Sequence, residues 1–379
     1  MSLSYKMRKR EEYAVSLLTK LLGTYSPSGE EESISNFLFQ EMKNLGLNTR
    51  RDEVGNVIGE LGTSPPSVLL CGHMDTVPGV IPVRMEGGRL YGRGAVDAKS
   101  SLAAMIMASA LLVEDNFPGK VITVGVVDEE GKGRGTKQLI RELTSVDYAI
   151  FGEPSGVENI TIAYKGSLHL KITCETETGH SAASWLFENA IERAFNIWEL
   201  IKNSDLGPEK QDSRFYSVTR CITNIDGGGV SSTVPSKCDI GVDIRIPPGL
   251  KPQQVFNIIE NLIEQYKTDH PKVSVELEVE DSCEPYESSP KSTLVRSLSW
   301  AVRRVRSKQA ILLRKTGTGD MNLLGSAMRI PIVTYGPGNS HLDHTPNEFI
   351  EIKEYLDSVE VYQNTVKRLF ELHSRGKAG

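Results

Sequence analysis

Histidine and carboxylate side chains recur in short polar clusters, each placed directly after an apolar run. Gly72-His73-Met74-Asp75 follows Ser67–Cys71, Asp128-Glu129-Glu130-Gly131 follows Val121–Val127, and Gly152-Glu153-Pro154 follows Tyr148–Phe151. Asp97 stands in Gly-Arg-Gly-Ala-Val-Asp97-Ala-Lys, just before an apolar stretch from Ala98 to Val113. A fifth cluster, Asn339-Ser-His341-Leu-Asp-His344-Thr-Pro-Asn-Glu348, comes a few residues after Ile330–Tyr335. Imidazoles and carboxylates without thiolates suit a catalytic site for zinc or a similar divalent ion. Two ligand sets that share one carboxylate make a two-metal centre, with ions about 3.5–4 Å apart. Asp75, two residues beyond His73 on extended backbone, faces the same way and can hold the second imidazole nitrogen. The Glu129-Glu130 pair suits a division of labour in which one carboxylate binds metal and its neighbour takes the proton from the attacking water. Each cluster alone has an ordinary reading: Asp97 as a helix N-cap, the acidic pair as a solvated helix start, either histidine as a surface residue. Their recurrence at strand ends carries the inference.

The elements that position these groups can be read from periodicity. The four apolar runs predict buried strands, and helical segments separate several of them, notably Ala98–Val113. That alternation predicts an α/β domain, a mostly parallel sheet with helices on both faces, whose ligands lie beyond the carboxyl ends of the strands. Helices are predicted over Lys9–Leu22, from Ser28 to about Leu45, over Lys291–Arg306 and over Ile352–Leu372. The middle of the chain differs. Ile160–Glu175 alternates like one antiparallel strand, and a helix follows over Ser184–Ile201. Strands over Phe215–Ile225, Cys238–Ile246 and Val273–Val279 enclose a second helix, Gln253–Tyr266. This predicts an inserted α+β domain over 163–283 within a catalytic metal-binding domain formed by 1–162 and 284–379.

Composition narrows the class. Hydrophobic residues are 39% and charged residues 24% of 379, which fits a globular chain. A net charge of −6 disfavours sequence-independent nucleic-acid binding. The longest apolar stretch, Ser101–Val113, is too short to span a bilayer, and no apolar signal core follows the basic residues of the N-terminus. Five scattered cysteines with no CxxC pair point to a reducing, cytoplasmic setting. No GxSxG or HExxH motif is present. Gly131-Lys-Gly-Arg-Gly135 lacks the spacing of a phosphate loop and reads as a tight turn. His169, His270 and His373 read as structural or solvated.

Together, GHMDTVP (72–78), YGRGAVDAKSSLAAM (91–105), DEEGKGRG (128–135), GEP (152–154) and HTPNE (344–348) resemble the co-catalytic metallopeptidase family of acetylornithine deacetylase, succinyl-diaminopimelate desuccinylase, carboxypeptidase G and aminoacylase. The motifs occur in order along nearly the whole chain. The resemblance implies two divalent ions, zinc first and cobalt as the alternative. His73 and Glu153 match the ligands of one ion, Glu130 and His344 those of the other, and Asp97 the bridge. Glu129 matches the general base and Asp75 the partner of His73. His341 is the alternative to His344, but only His344 sits at the family's position before Pro-Asn-Glu.

The resemblance also implies that the inserted domain is a lid and dimerisation domain. Thr178-Gly-His180-Ser matches the segment whose histidine reaches a substrate oxygen, often across a homodimer. Arg245, in Val-Asp-Ile-Arg-Ile, matches a position that grips a substrate carboxylate, a task suited to its bidentate fork. Relatives often carry Asn in a GxxSNxxP stretch before that arginine; this chain reads Gly229-Val-Ser-Ser232-Thr-Val-Pro, with Ser232 in place of the amide. Within the family, GHMDTVPGVIPVR, TGTGDMN and YGPGNSHLDHTPNE are most like the branch that releases lysine, or ornithine, from the terminal γ-glutamyl group of a small acidic amino-group carrier protein. Arg89, Arg93, Lys132, Arg134 and Lys315 are candidate charges for meeting such a partner. The alternatives are a small-molecule N-acyl amino-acid deacetylase and a non-catalytic metal-binding protein on the same fold.

Overall fold

The computed structural model describes residues 3–143, 145–210 and 212–376; the outermost residues of the domain bounds given above, with Thr144 and Gln211, lie outside these. The chain divides into two compact units: Met1–Ile162, Ser288–Leu313 and Leu323–Gly379 form the first, Ala163–Glu287 and Arg314–Asn322 the second.

The first unit is built on a mixed sheet. Its strands run in the spatial order Asn48–Arg51, Val57–Leu61, Gly119–Val126, Ser64–His73, Tyr148–Phe151, Ile332–Thr334, Asn159–Tyr164. The central pairings, Ser64–His73 with Gly119–Val126 and Tyr148–Phe151, and Tyr148–Phe151 with Ile332–Thr334, are parallel. Antiparallel strands close both sides. The fold class is therefore the α/β arrangement expected from the apolar runs. Because the parallel strands are covered, they are buried almost throughout, and they read as continuous apolar runs rather than as alternation.

The helix Lys99–Glu114 packs on Ser64–His73 and is apolar nearly all round, as a helix covered on every side must be. Gly72 permits this closeness: a Cβ there would lie 3.3 Å from that of Leu102. The N-terminal helix, Leu3–Gly23, starts before the apolar periodicity that predicted it and buries Ala14, Leu17, Leu18 and Leu21. The second helix begins at Glu32 rather than Ser28. A small sheet joins Phe349–Glu351, Arg89–Tyr91 and Arg84–Glu86. No helix among the described residues is long and apolar enough to cross a membrane.

The second unit is a four-stranded antiparallel sheet in the order Thr219–Gly227, Lys237–Ile246, Gly166–Glu175, Ser274–Cys283, with the helices Ala190–Asn203 and Pro252–Asp269. Lys237–Ile246 alternates strictly. Cys238, Ile240, Val242, Ile244 and Ile246 enter the core against both helices, while Asp239, Asp243 and Arg245 line the opposite face.

Two expectations fail here for local reasons. Ile160–Glu175 is not one strand. It breaks at Lys165 into Asn159–Tyr164 and Gly166–Glu175, which join different sheets, and a Cβ on Gly166 would meet the Cys283 carbonyl oxygen at 2.4 Å. The helix predicted from Ser184 starts instead at Ala190, where the Asn189 side chain accepts the Ile191 N–H; Ser181–Leu186 is a separate 3-10 turn. The strand Ile311–Lys315 and the helix Asp320–Met328 carried too little periodicity to be anticipated.

Candidate metal centre

Each candidate ligand is delivered by the end of an element. His73 is the last residue of Ser64–His73, Glu129 and Glu130 follow Gly119–Val126, and Glu153 comes two residues after Tyr148–Phe151. Asp97 sits in the turn before Lys99–Glu114, and His344 lies beyond the turn Ser340–Leu342. His73 is 1% exposed. Its Nε2 lies 3.2 Å from Asp97 Oδ1 and 3.8 Å from Glu153 Oε1. The other Asp97 oxygen, Oδ2, is 3.0 Å from His344 Nε2, which is 2.9 Å from Glu130 Oε1. Donor atoms of His73, Asp97 and Glu130 lie within 4.8 Å of one another, as do those of His73, Glu129 and Glu153. His341 is exposed and, like His344, belongs to neither group; what distinguishes His344 is its contact with Asp97 and Glu130.

These separations allow a test of fit. A tetrahedral ion with ligand bonds of about 2.0–2.1 Å holds its donors about 3.3 Å apart. The nitrogen–oxygen separations among His73, Asp97, Glu130, Glu153 and His344 bracket that distance, and the donors are the nitrogen and oxygen types that zinc and similar ions take. The electrostatics agree. Burial alone would lower the pKa of His73, but the neighbouring carboxylates of Asp75 and Asp97 outweigh it and raise the value well above 6.5. The Asp97 carboxylate, followed by the charge of Glu130, raises His344 to about 9 against the cost of partial burial. Burial pushes Asp97 upward, yet His344 and His73 hold it well below the usual carboxylate range. Burial and the charge of Asp97 raise Glu130. The cluster thus carries an excess of negative charge that calls for cations, and the two imidazoles answer it by binding protons.

Asp75 is fully buried and turned in an unforeseen way. The nearest acceptor to His73 Nδ1 is the main-chain oxygen of Asp75, at 3.0 Å, with the carboxylate Oδ1 at 3.6 Å. The carboxylate itself accepts the Glu129 N–H and the Glu130 N–H, each at 3.1 Å, and the Ser28 hydroxyl at 2.7 Å. Asp75 thus spans both the histidine and the Glu129-Glu130 backbone. The preceding Asp128 has φ +61, and its N–H is held by Glu31 Oε1 at 3.0 Å.

Several supporting residues escaped the sequence reading. Ser28 looked like a helix start. Glu348, 0% exposed, accepts the N–H groups of Gly94 (3.1 Å), Val96 (2.8 Å) and Asp97 (3.0 Å), as well as the Arg93 guanidinium at 3.0 Å. It therefore fixes the loop that presents Asp97. Arg93 is for that reason not a free surface charge. Lys99, 1% exposed, donates to the carbonyls of Leu21 (3.1 Å) and Thr24 (2.8 Å), and burial lowers its pKa to about 8. The available signal was their presence inside the motifs: Arg93 and Lys99 flank Asp97, and Glu348 ends HTPNE.

The two candidates in the second unit have their own settings. His180 is exposed, and its Nδ1 accepts the Ala182 N–H at 3.0 Å. That bond leaves the proton of the neutral ring on Nε2, free to be donated. Arg245 Nε donates to Asp243 Oδ2 at 3.0 Å, which directs the rest of the guanidinium along the polar sheet face; His169 Nε2 flanks the same Asp243 carboxylate at 3.1 Å.

Comparison with known proteins agrees with this arrangement. The chain is 37% identical over 359 residues to a protein of Pyrococcus furiosus named putative LysW-lysine/LysW-ornithine hydrolase, covering 94% of this chain and 98% of the relative. It is 34% identical over 361 residues to the LysW-lysine hydrolase of Deinococcus radiodurans, covering 93% and 96%. Among solved structures, aminopeptidase PepT from Bacillus cereus superposes with a TM-score of 0.82 at 21% identity, over 95% of this chain and 99% of that one, which speaks to fold. Residues 69–368 match the peptidase family M20/M25/M40. A family match of that extent, joined to near full-length relatives, makes this chain a member of the M20/M25/M40 peptidases and a hydrolase of amide or peptide bonds.

Proposed function

We propose that this chain is a two-metal amidohydrolase that releases lysine or ornithine from the γ-glutamyl terminus of a small acidic amino-group carrier protein. The observation that carries the metal chemistry is Asp97, which turns one oxygen toward His73 and the other toward His344, as a bridging carboxylate must. The names of the near full-length relatives support the substrate. His73 and Glu153 would hold one ion and Glu130 and His344 the other, with zinc the first choice and cobalt the alternative. When bound, the ions supply Lewis acidity, which polarises the scissile carbonyl and lowers the pKa of the attacking water.

Glu129 takes the proton from that water and returns it to the departing amine. Asp75 keeps Glu129 in place by accepting its main-chain N–H, and it orients His73. His180 Nε2–H donates to the developing oxyanion when the second unit closes as a lid, and Arg245 grips the α-carboxylate of the released amino acid. His180 would act in its own chain or across a homodimer. If it acts across the dimer, mixing His180→Ala with Glu129→Gln subunits restores part of the activity; no recovery in verified mixed dimers means that it works in its own chain or not at all.

The deciding experiment compares lysine release from the γ-glutamyl carrier with release from N-acetyl-lysine, at low and moderate salt. The carrier should be the better substrate and the more sensitive to salt. If N-acetyl-lysine is clearly better under both conditions, the chain is a small-molecule deacetylase. Removing metal with a chelator should abolish either activity, and zinc or cobalt should restore it; full activity in protein shown to be metal-free would overturn the mechanism.

A further inference from the structure

Most of the basic residues that sequence position suggested for meeting an acidic partner are already engaged: Arg89 with Glu351 at 2.7 Å, Arg93 with Glu348 at 3.0 Å and Arg134 with Asp128 at 3.0 Å. An uncommitted group lies elsewhere in the first unit. The helix Thr293–Arg306 buries Leu294, Val295, Leu298, Ala301 and Val302 and turns Arg296, Trp300, Arg303 and Arg304 outward. Their spacing places all four on one face. Among the described residues, Arg296, Arg303 and Arg304 have no ion-pair partner.

Trp300 is 38% exposed, with the guanidinium carbons of Arg304 and Arg368 at 5.5 and 5.3 Å from the ring centroid. Arginines in a last helical turn suit the helix dipole, which accounts for Arg303 and Arg304. It does not account for Arg296, in the first turn, where a cation opposes the dipole. The Arg296 charge and the partly exposed Trp300 ring, with the Arg304 and Arg368 guanidinium groups over it, fit a surface that is covered by a partner. The protein as a whole carries −6, so a concentrated cationic face is a local departure from its overall charge.

We propose that this face is a docking surface for an acidic protein domain. On the function proposed above, that domain is the carrier. Trp300 is the apolar anchor, since tryptophan and arginine are the residue types that dominate protein interfaces. Arg296, Arg303 and Arg304 steer the acidic domain and hold it against the helix while its γ-glutamyl terminus is processed.

The test is the triple variant Arg296→Ala/Arg303→Ala/Arg304→Ala, with Trp300→Ala separately and a triple Arg→Lys variant as the charge-preserving control. KM and kcat are measured for the γ-glutamyl-lysine carrier and for the γ-glutamyl-lysine dipeptide. Binding of the carrier is measured with each set combined with Glu129→Gln. The triple Ala variant should raise the carrier KM about tenfold at low salt and converge on the parent at high salt, with carrier kcat and dipeptide turnover unchanged. The Lys variant should keep most of the affinity. Unchanged carrier KM and Kd, or an equal loss on both substrates, overturns the docking surface. If the parent cleaves the carrier and the triple variant binds it as tightly, docking fails and the substrate reading stands. If the parent binds the carrier through this face without cleaving it, docking stands and the substrate reading fails. A carrier that the parent neither binds nor cleaves overturns both.

Discussion

The two units place their functional side chains by different means. In the second unit, Arg245 lies within a strand, one residue before its end, whose inward and outward residues alternate without interruption, and its direction follows from that alternation plus one carboxylate, Asp243. In the first unit, the candidate ligands lie at the ends of strands, in loops that have no periodicity of their own. Those loops are held by buried carboxylates that accept main-chain N–H groups: Glu348 for the Asp97 turn, Asp75 for the Glu129-Glu130 turn, Glu31 for Asp128. The metal centre thus rests on polar clamps from distant sequence, whereas the sheet face of the second unit rests on a local repeat. Removing a clamp leaves buried N–H groups without partners, while the Arg245–Asp243 pair keeps partial contact with water, which can replace a lost neighbour in part.

The sharpest test of this difference separates chemistry from support. Glu129→Gln should lower kcat by at least about 10²-fold while metal content stays near normal, because only the proton carrier is lost. Metal loss in that variant would make Glu129 a ligand, a reading its proximity to His73 and Glu153 keeps open to experiment. Glu348→Ala should come next. It strands Arg93 and three main-chain N–H groups, and breaking a buried pair of this kind costs about 3–5 kcal/mol. Thermal denaturation and metal analysis should show a lower Tm and loss of metal together; retention of both would break the idea that Glu348 builds the site.

In the second unit, Asp243→Asn should be milder. A severalfold rise in KM with kcat, metal content and Tm nearly unchanged is expected, since Arg245 loses only its steering partner. A collapse in Tm would erase the contrast. The smallest effect concerns pH. In metal-free protein His344 titrates near 9 rather than 6.5, so the stability from its charged form is complete below about 6.5 and is lost as pH rises through about 9. The Tm of chelated protein should fall across that window more than that of the loaded protein, whose histidine is already deprotonated by its ligand role. Equal slopes would remove His344 from the cluster.

The same contrast explains how far the sequence could be read. The apolar runs of the first unit announce parallel strands, and the polar residues after them announce a rim, because burial on both faces and the break at a strand's end each leave a local mark. Asp75 next to His73 was visible; its bonds to Glu129, Glu130 and Ser28 were not, since those partners are brought together only by the fold. Ser28 carried a helix-start signal that the chain uses for a different purpose. Ile160–Glu175 read as one strand because alternation continues across Lys165, where nothing in the periodicity shows that the chain changes sheets. Arg93 looked like a surface charge because a buried partner 255 residues away leaves no local trace.

The Glu348 clamp has a consequence for how the protein comes into being. The carboxylate that organises Gly94, Val96 and Asp97 is separated from them by 251 to 254 residues, and His344 lies beside it in sequence. During synthesis the emerging chain has the Asp97 turn for most of its passage through the ribosome without the group that shapes it, while the second unit's sheet can already be paired once Cys283 has emerged. The Asp97 turn therefore reaches its final shape only when the closing segment, which also carries His344, is released.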